Sequence, residues 1–273
     1  MRNGALSSLL HIGRTAAALL FAAFALGADT EGARWDCGPG GISRSAERGR
    51  VLILPGVGNT RFHLAGFVER VAEQLPNFEI EVRTWGDPFR MLSNLRAEQR
   101  NLATAEQIAR DLTEWRRAHP EDKLYVVGYS GGGGIATLVM AELPADVSVD
   151  RLVLVAPAIS PDYPLAQNVL PHVTDFVANF SSTLDLQVGW GTLTFGTIDR
   201  KNTQSAGAVG FELDDPKLLQ HRWSADDMPF GHHGNHLSYL SPRWQDAKLL
   251  PTLDPSFMRE QVLAAWSQTC KGR

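Results

Sequence analysis

Cysteine is nearly absent from this 273-residue sequence, with Cys37 and Cys270 the only two. So few exclude a disulfide-framed scaffold and a cysteine-built zinc centre. They leave open whether the pair bridges the two ends of the chain or stands as separate thiols. A strong excess of one charge is also lacking: 26 Lys and Arg face 30 Asp and Glu, for a net charge of -4. That balance is too mild to steer the chain towards a polyanion. The basic residues are scattered without interleaved aromatics, so no nucleic-acid partner is expected. Internal repeats, heptads and low-complexity linkers are missing too, which excludes solenoids, coiled coils and a hinged multi-module chain. The apolar run at residues 16–28 falls short of the roughly 20 residues that a membrane-spanning helix needs, so no stable span is expected in the mature chain.

What is present suits a globule. Apolar residues make up 44% of the chain and charged residues 21%, enough to build a substantial core. The first 28 residues stand apart: Arg2 and Arg14 precede the apolar run, Ala25-Leu26-Gly27 offers small residues, and Asp29 is the first acid. This is the pattern of a secretory signal peptide cleaved after Gly27 or Ala28. Residues 29–273 are then expected to form a single domain that is secreted or periplasmic, or membrane-associated if the leader stays on.

From Arg50 onward, short β-rich apolar runs alternate with longer segments of helical period, the signature of an α/β fold. Candidate strands begin at Val51 (VLILP), Phe78 (FEIEVRTW), Lys123 (KLYVVG), Arg151 (RLVLVA), Asp175 (DFVANF) and Lys217 (KLLQHRW). Several are continuously apolar, as strands covered on both faces are. Ala105, Ile108, Ala109, Leu112 and Trp115 mark a crossover helix, and Leu64, Phe67, Val68, Val71 and Leu75 mark another with Gly66 inside it. Asp254-Pro255 offers a cap and a first-turn proline for a last helix through Met258, Val262 and Trp266, and Ser241-Pro242 a shorter one. Residues 186–220 fit neither period; they are expected to run over one edge of the molecule with some local element, around AVGFEL.

The most specific motif is Gly128-Tyr129-Ser130-Gly131-Gly132, a G-x-S-x-G between a candidate strand and a candidate helix. A turn tight enough to lift a serine Oγ out of a sheet crowds its neighbours and demands small flanking residues. The helix that follows points its first N–H groups and positive dipole end at the serine, where an oxyanion would form. A phosphate-cradling loop is disfavoured because no G-K-[ST] follows the glycines.

With LPGVGN after the first strand, this motif resembles the α/β-hydrolase family of serine hydrolases, esterases and lipases among them. The likeness covers most of the chain from Val51 in element order. It implies a mostly parallel sheet with helices on both faces; as a departure from the family, the leading strands are expected to be reduced, because only about twenty residues separate the expected cleavage point from Val51. It also implies a Ser130 nucleophile with the Val57 and Gly131 N–H groups as the oxyanion hole. Pro55 stands where the family's loop carries His, which alters the loop's support but not its backbone donor. Partners should follow in the order acid, then His. The resemblance favours Asp185, after the strand DFVANFSS, over Asp162, Asp199 and Asp175. For the base it favours His236 over His233, both within Gly231-His232-His233-Gly234-Asn235-His236.

The same histidines, with Asp226 and Asp227, suggest a zinc site, but no HExxH string or cysteine supports one. The expectation is therefore hydrolysis of a small-molecule or lipid ester with neither cofactor nor metal. The alternative is a hydrolase-like protein that binds a ligand or partner in the same crevice without catalysis. Any cover over the crevice should come from residues 86–100 or 186–215.

Overall fold

A computed structural model describes residues 35–36, 46–58, 64–87, 91–269 and 271–272. The expected signal peptide, residues 1–28, and the two cysteines lie outside the described residues. Cys37–Lys271 form one compact unit. The two-residue strands Trp35–Asp36 and Lys271–Gly272 pair as a separate small sheet.

The six candidate strands all form. They are β1 Gly49–Leu54, β2 Phe78–Val82, β3 Lys123–Tyr129, β4 Val149–Val155, β5 Val173–Ser181 and β6 Leu218–Arg222. They pair in the order β2-β1-β3-β4-β5-β6, and every pairing is parallel. The continuous apolar runs are explained by burial on both faces. Leu52, Leu54, Val126, Leu152 and Leu154 join one core, while Val51, Ile53, Val127, Val153 and Val155 join the other. The first core is covered by α3 (Glu98–Ala118), through Ala105, Ile108, Ala109 and Leu112, and by α4 (Gly131–Ala141). The second is covered by α1 (Ala65–Gln74), through Phe67 and Val71, and by Trp244 and Trp266. A short helix α2 (Met91–Arg96) precedes α3.

Between 186 and 220, where neither period was legible, a ten-residue helix α5 (Leu186–Phe195) and a single turn Ala206–Val209 form. The uncertain AVGFEL segment thus contributes only its first residues to structure of its own. The last helix departs from expectation. It is α6 (Arg259–Trp266) and starts after the Asp254-Pro255 pair rather than at it. Asp254 Oδ1 instead accepts from Ser256 N at 2.9 Å and from the Ser256 hydroxyl, closing a local turn. The short helix Pro242–Trp244 forms as its Ser-Pro start suggests.

Strand order reverses between β1 and β3, since the chain leaves β1 for one neighbour and returns on the other side. Open parallel sheets form their ligand crevice beyond the strands' carboxyl ends at such a switch point. Leu54 and Gly128 are register partners there, so the loops after β1 and β3 leave the sheet side by side.

Candidate active site

Ser130 occupies the turn between β3 and α4 with φ 56°, a left-handed conformation unusual for serine. Such a backbone costs on the order of 1–3 kcal/mol and persists only where its surroundings impose it. Here Ser130 N–H donates to Val155 O at 2.8 Å, and Ser130 O accepts from Gly133 N at 2.9 Å and Ala158 N at 3.0 Å. The glycines around it are required by close approach. A Cβ on Gly128 would lie 2.5 Å from Gly133 Cα, and one on Gly132 would lie 2.2 Å from Leu54 O. Helix and strand meet backbone to backbone, which offsets the poor helix propensity of four consecutive glycines.

The two candidate oxyanion donors are neighbours. A Cβ on Gly131 would fall 2.5 Å from Val57 Cγ1, so the loop after β1 presses on the first residue of α4. The first N–H groups of a helix have no intrahelical acceptor, and Gly131 opens this one.

Asp185 and His236 meet. The His236 Nδ1–H donates to Asp185 Oδ2 at 2.6 Å, with both residues buried. The second carboxylate oxygen, Oδ1, accepts from Val188 N at 3.1 Å, so Asp185 also caps α5. Both oxygens are thereby fixed, and the Nδ1 proton leaves Nε2 as the imidazole's open acceptor. The loops carrying the two residues are tied together as well: Ser182 Oγ donates to Gly234 O at 2.7 Å. Asn235 starts the turn His236–Leu240, its side chain accepting from Ser238 N.

Tyr129, the variable position of G-x-S-x-G, links this pair to the serine turn. Its ring stacks on His236 with centroids 4.9 Å apart, and its hydroxyl donates to His236 O at 2.9 Å. Burial, and then the Asp185 charge, push the phenol well above its ordinary pKa, so it remains a donor.

The rivals are engaged elsewhere. Asp162 is surface-exposed and paired with Lys201 at 2.7 Å, Asp199 accepts from Ser160, and Asp175 pairs with Arg151 at 3.1 Å. His233 is exposed. His232 is buried against Tyr239 and Trp244, its Nδ1 accepting from Gly234 N at 3.0 Å. The histidine and aspartate cluster is thus dispersed to separate partners, and among the described residues no group suited to a metal ion occurs.

Sequence reading missed a second His–Asp pair. His221 Nε2 bonds Asp227 at 3.0 Å, and Trp244 Nε1 donates to the same carboxylate at 3.1 Å. Burial pushes the Asp227 carboxyl up, but these bonds and the His221 charge outweigh it and hold the pKa low. His221 sits among Phe180, Trp244 and Trp266, so the pair braces the aromatic core.

Residues 45–208 match the sequence model described as serine aminopeptidase, S33. The chain belongs to this family. It is an α/β hydrolase, and the matched S33 segment holds Val57, Ser130, Gly131 and Asp185, with His236 beyond its end. No curated protein sequence matches this S33-family chain. Among solved structures it is similar to the catalytic core domain of acetyl xylan esterase from Trichoderma reesei, at 15% identity and TM-score 0.44, covering 82% of this chain and 100% of that one. A thioesterase of the prodiginine pathway of Streptomyces coelicolor matches at 16% identity and TM-score 0.40, over 81% and 96% of the two chains. A cutinase-like protein from Cryptococcus matches at 15% and 0.40, over 75% and 92%.

Proposed function

We propose that this hydrolase cleaves carboxylic esters through an acyl-enzyme on Ser130. His236 Nε2 takes the Ser130 Oγ proton as Oγ attacks the ester carbonyl carbon. The carbonyl electron pair moves to oxygen, and the Val57 and Gly131 N–H groups hold that oxyanion. Collapse expels the alcohol, which receives the proton from His236. Water then enters by the same route, and its attack and collapse release the acid and restore Ser130. Asp185 holds the imidazole in one tautomer and stabilises its cationic form.

The single observation that carries this reading is the 2.6 Å bond between buried His236 and Asp185. Ester rather than peptide substrates are supported by the rim. Leu184, Leu186, Trp190, Leu193 and Leu237 are exposed beside Asp185 and His236, and residues 186–198 carry no charge. Such a rim suits an apolar acyl group.

A fluorophosphonate probe should label the folded wild type at Ser130, and Ser130→Ala should lose both labelling and turnover of a chromogenic ester series. Undiminished turnover in Ser130→Ala would remove the mechanism, and a folded wild type that never labels would favour the non-catalytic binding reading. Cleavage of aminoacyl amides in preference to every ester would overturn the substrate class. The same reading takes residues 1–28 as a signal peptide and the mature protein as secreted or periplasmic. Intact-mass measurement of exported protein should place its first residue at Ala28 or Asp29. Among the described residues no helix is long and apolar enough to cross a membrane.

A further inference from the structure

We infer that Asn94 and Trp85 are positioning residues for the Val57 N–H, an inference that rests on the oxyanion role just proposed. The loop after β1 has little rigidity of its own. Gly56 and Gly58 flank Val57, and Pro55 supplies no polar side chain to fasten the turn. Two side chains from outside the loop fasten it instead. Trp85 Nε1 donates to Pro55 O at 2.7 Å, and Asn94 Nδ2 donates to Val57 O at 2.7 Å.

The placement of these bonds matters. Each peptide unit is planar, so holding a carbonyl fixes the plane of its whole unit. The Pro55 carbonyl belongs to the unit joining residues 55 and 56, and the Val57 carbonyl to the unit joining 57 and 58. The unit between them carries the Val57 N–H, and it is held because both neighbours are held. Neither bond uses up the N–H itself.

Both fasteners are braced. Asn94 is fully buried, its Nδ2 also donates to Asp87 O at 2.8 Å, and its Oδ1 accepts from Asp87 N at 3.1 Å. Its backbone carbonyl accepts from buried Asn101 Nδ2 at 2.7 Å, which ties it to α3. A Cβ on Gly86 would lie 2.7 Å from the Asn94 carboxamide, so glycine there makes room for it. The Trp85 indole has a second contact, because a Cβ on Gly131 would meet its Cζ2 at 2.9 Å. One side chain therefore sets the spacing of the two proposed donors.

Trp85→Phe removes the bond to Pro55 O and, because phenyl is shorter than indole, withdraws the ring edge that meets Gly131. Asn94→Asp keeps the acceptor for Asp87 N and replaces the donor facing Val57 O. Loss of a whole oxyanion donor costs about 100- to 1,000-fold in kcat, so loosening one should cost about 10-fold. The expected result in each folded variant is that drop in kcat on a p-nitrophenyl ester with KM within about two-fold, the pattern of an interaction made in the transition state. Affinity for an alkyl boronic acid, whose adduct mimics the tetrahedral state, should fall in parallel. Unchanged kcat and boronate affinity in folded Trp85→Phe would overturn the inference, as would a rise in KM alone. Should Asn94→Asp fail to fold, Trp85→Phe carries the test.

If wild type shows no Ser130-dependent turnover, the hydrolytic reading fails, and amide hydrogen exchange then tests the fastening separately. Faster exchange at Val57 in Trp85→Phe than in wild type, with β1 amides unchanged, supports it. Equal exchange overturns it.

Discussion

At the scale of single residues, Tyr129 shows how much an unconstrained motif position can carry. It is the last residue of β3, next to Ser130, yet its ring and hydroxyl are spent on His236. Tyr129→Phe should preserve the stack and lose one hydrogen bond, about 1 kcal/mol. Under the proposed mechanism kcat should fall about five-fold with KM little changed, because only the precision of the imidazole is lost. A kcat equal to wild type in steady-state kinetics would show that the hydroxyl does not position the base. The meeting of Asp185 with His236 was legible in the sequence because strand, turn and chain order constrain where the candidate partners of Ser130 stand. Asn94 was not. Its value depends on a carbonyl 37 residues earlier in the chain, and no local pattern records a partner at that separation.

At the scale of elements, parallel strands were easy to find because burial on both faces leaves continuous apolar runs. Helix α5 was hidden. Its buried side is short, and Leu186, Trp190 and Leu193 face outward, so no amphipathic period survives in the sequence. Its first turn is nevertheless fixed by Asp185, whose capping bond a sequence pattern cannot distinguish from a loop aspartate. The glycines separate two physical uses of one residue. A Cβ at Gly66 in α1 or Gly191 in α5 would meet nothing within 4 Å. Gly66→Ala and Gly191→Ala should each stabilise the fold by about 0.5–1 kcal/mol in chemical denaturation. Gly132→Ala should fail to give folded protein, since its Cβ would collide with Leu54 O at the end of β1.

At the scale of the whole molecule, the segment after β6 is held by buried polar groups. Arg151 lies under the sheet between Tyr125 and Phe176 and donates to the carbonyls of Thr252, Asp254 and Phe257. Lys248 Nζ caps the end of α6 through the carbonyls of Trp266 and Gln268, and burial lowers its pKa. His232 makes this region sensitive to acid. Burial lowers its pKa to about 3, whereas the unfolded chain takes up that proton near pH 6.5. Between those values the unfolded state binds more protons, so stability falls as pH falls, by up to about 1.4 kcal/mol per pH unit from this group. Denaturation midpoints measured from pH 7 to pH 4 should decline with a shallower slope in His232→Gln. An equal slope would assign the acid sensitivity to other groups.

The order of the site residues along the chain has a consequence for assembly. Val57, Ser130 and Asp185 all precede β6, while His236 follows it and reaches Asp185 only when the segment after β6 docks. On the proposed mechanism, recovery of turnover during refolding is a clock for that docking and should lag the return of sheet structure. A chain nicked between residues 212 and 217 would be silent as separate fragments and active when they reunite. The catalytic act itself would then report whether two unequal pieces of one polypeptide have found each other.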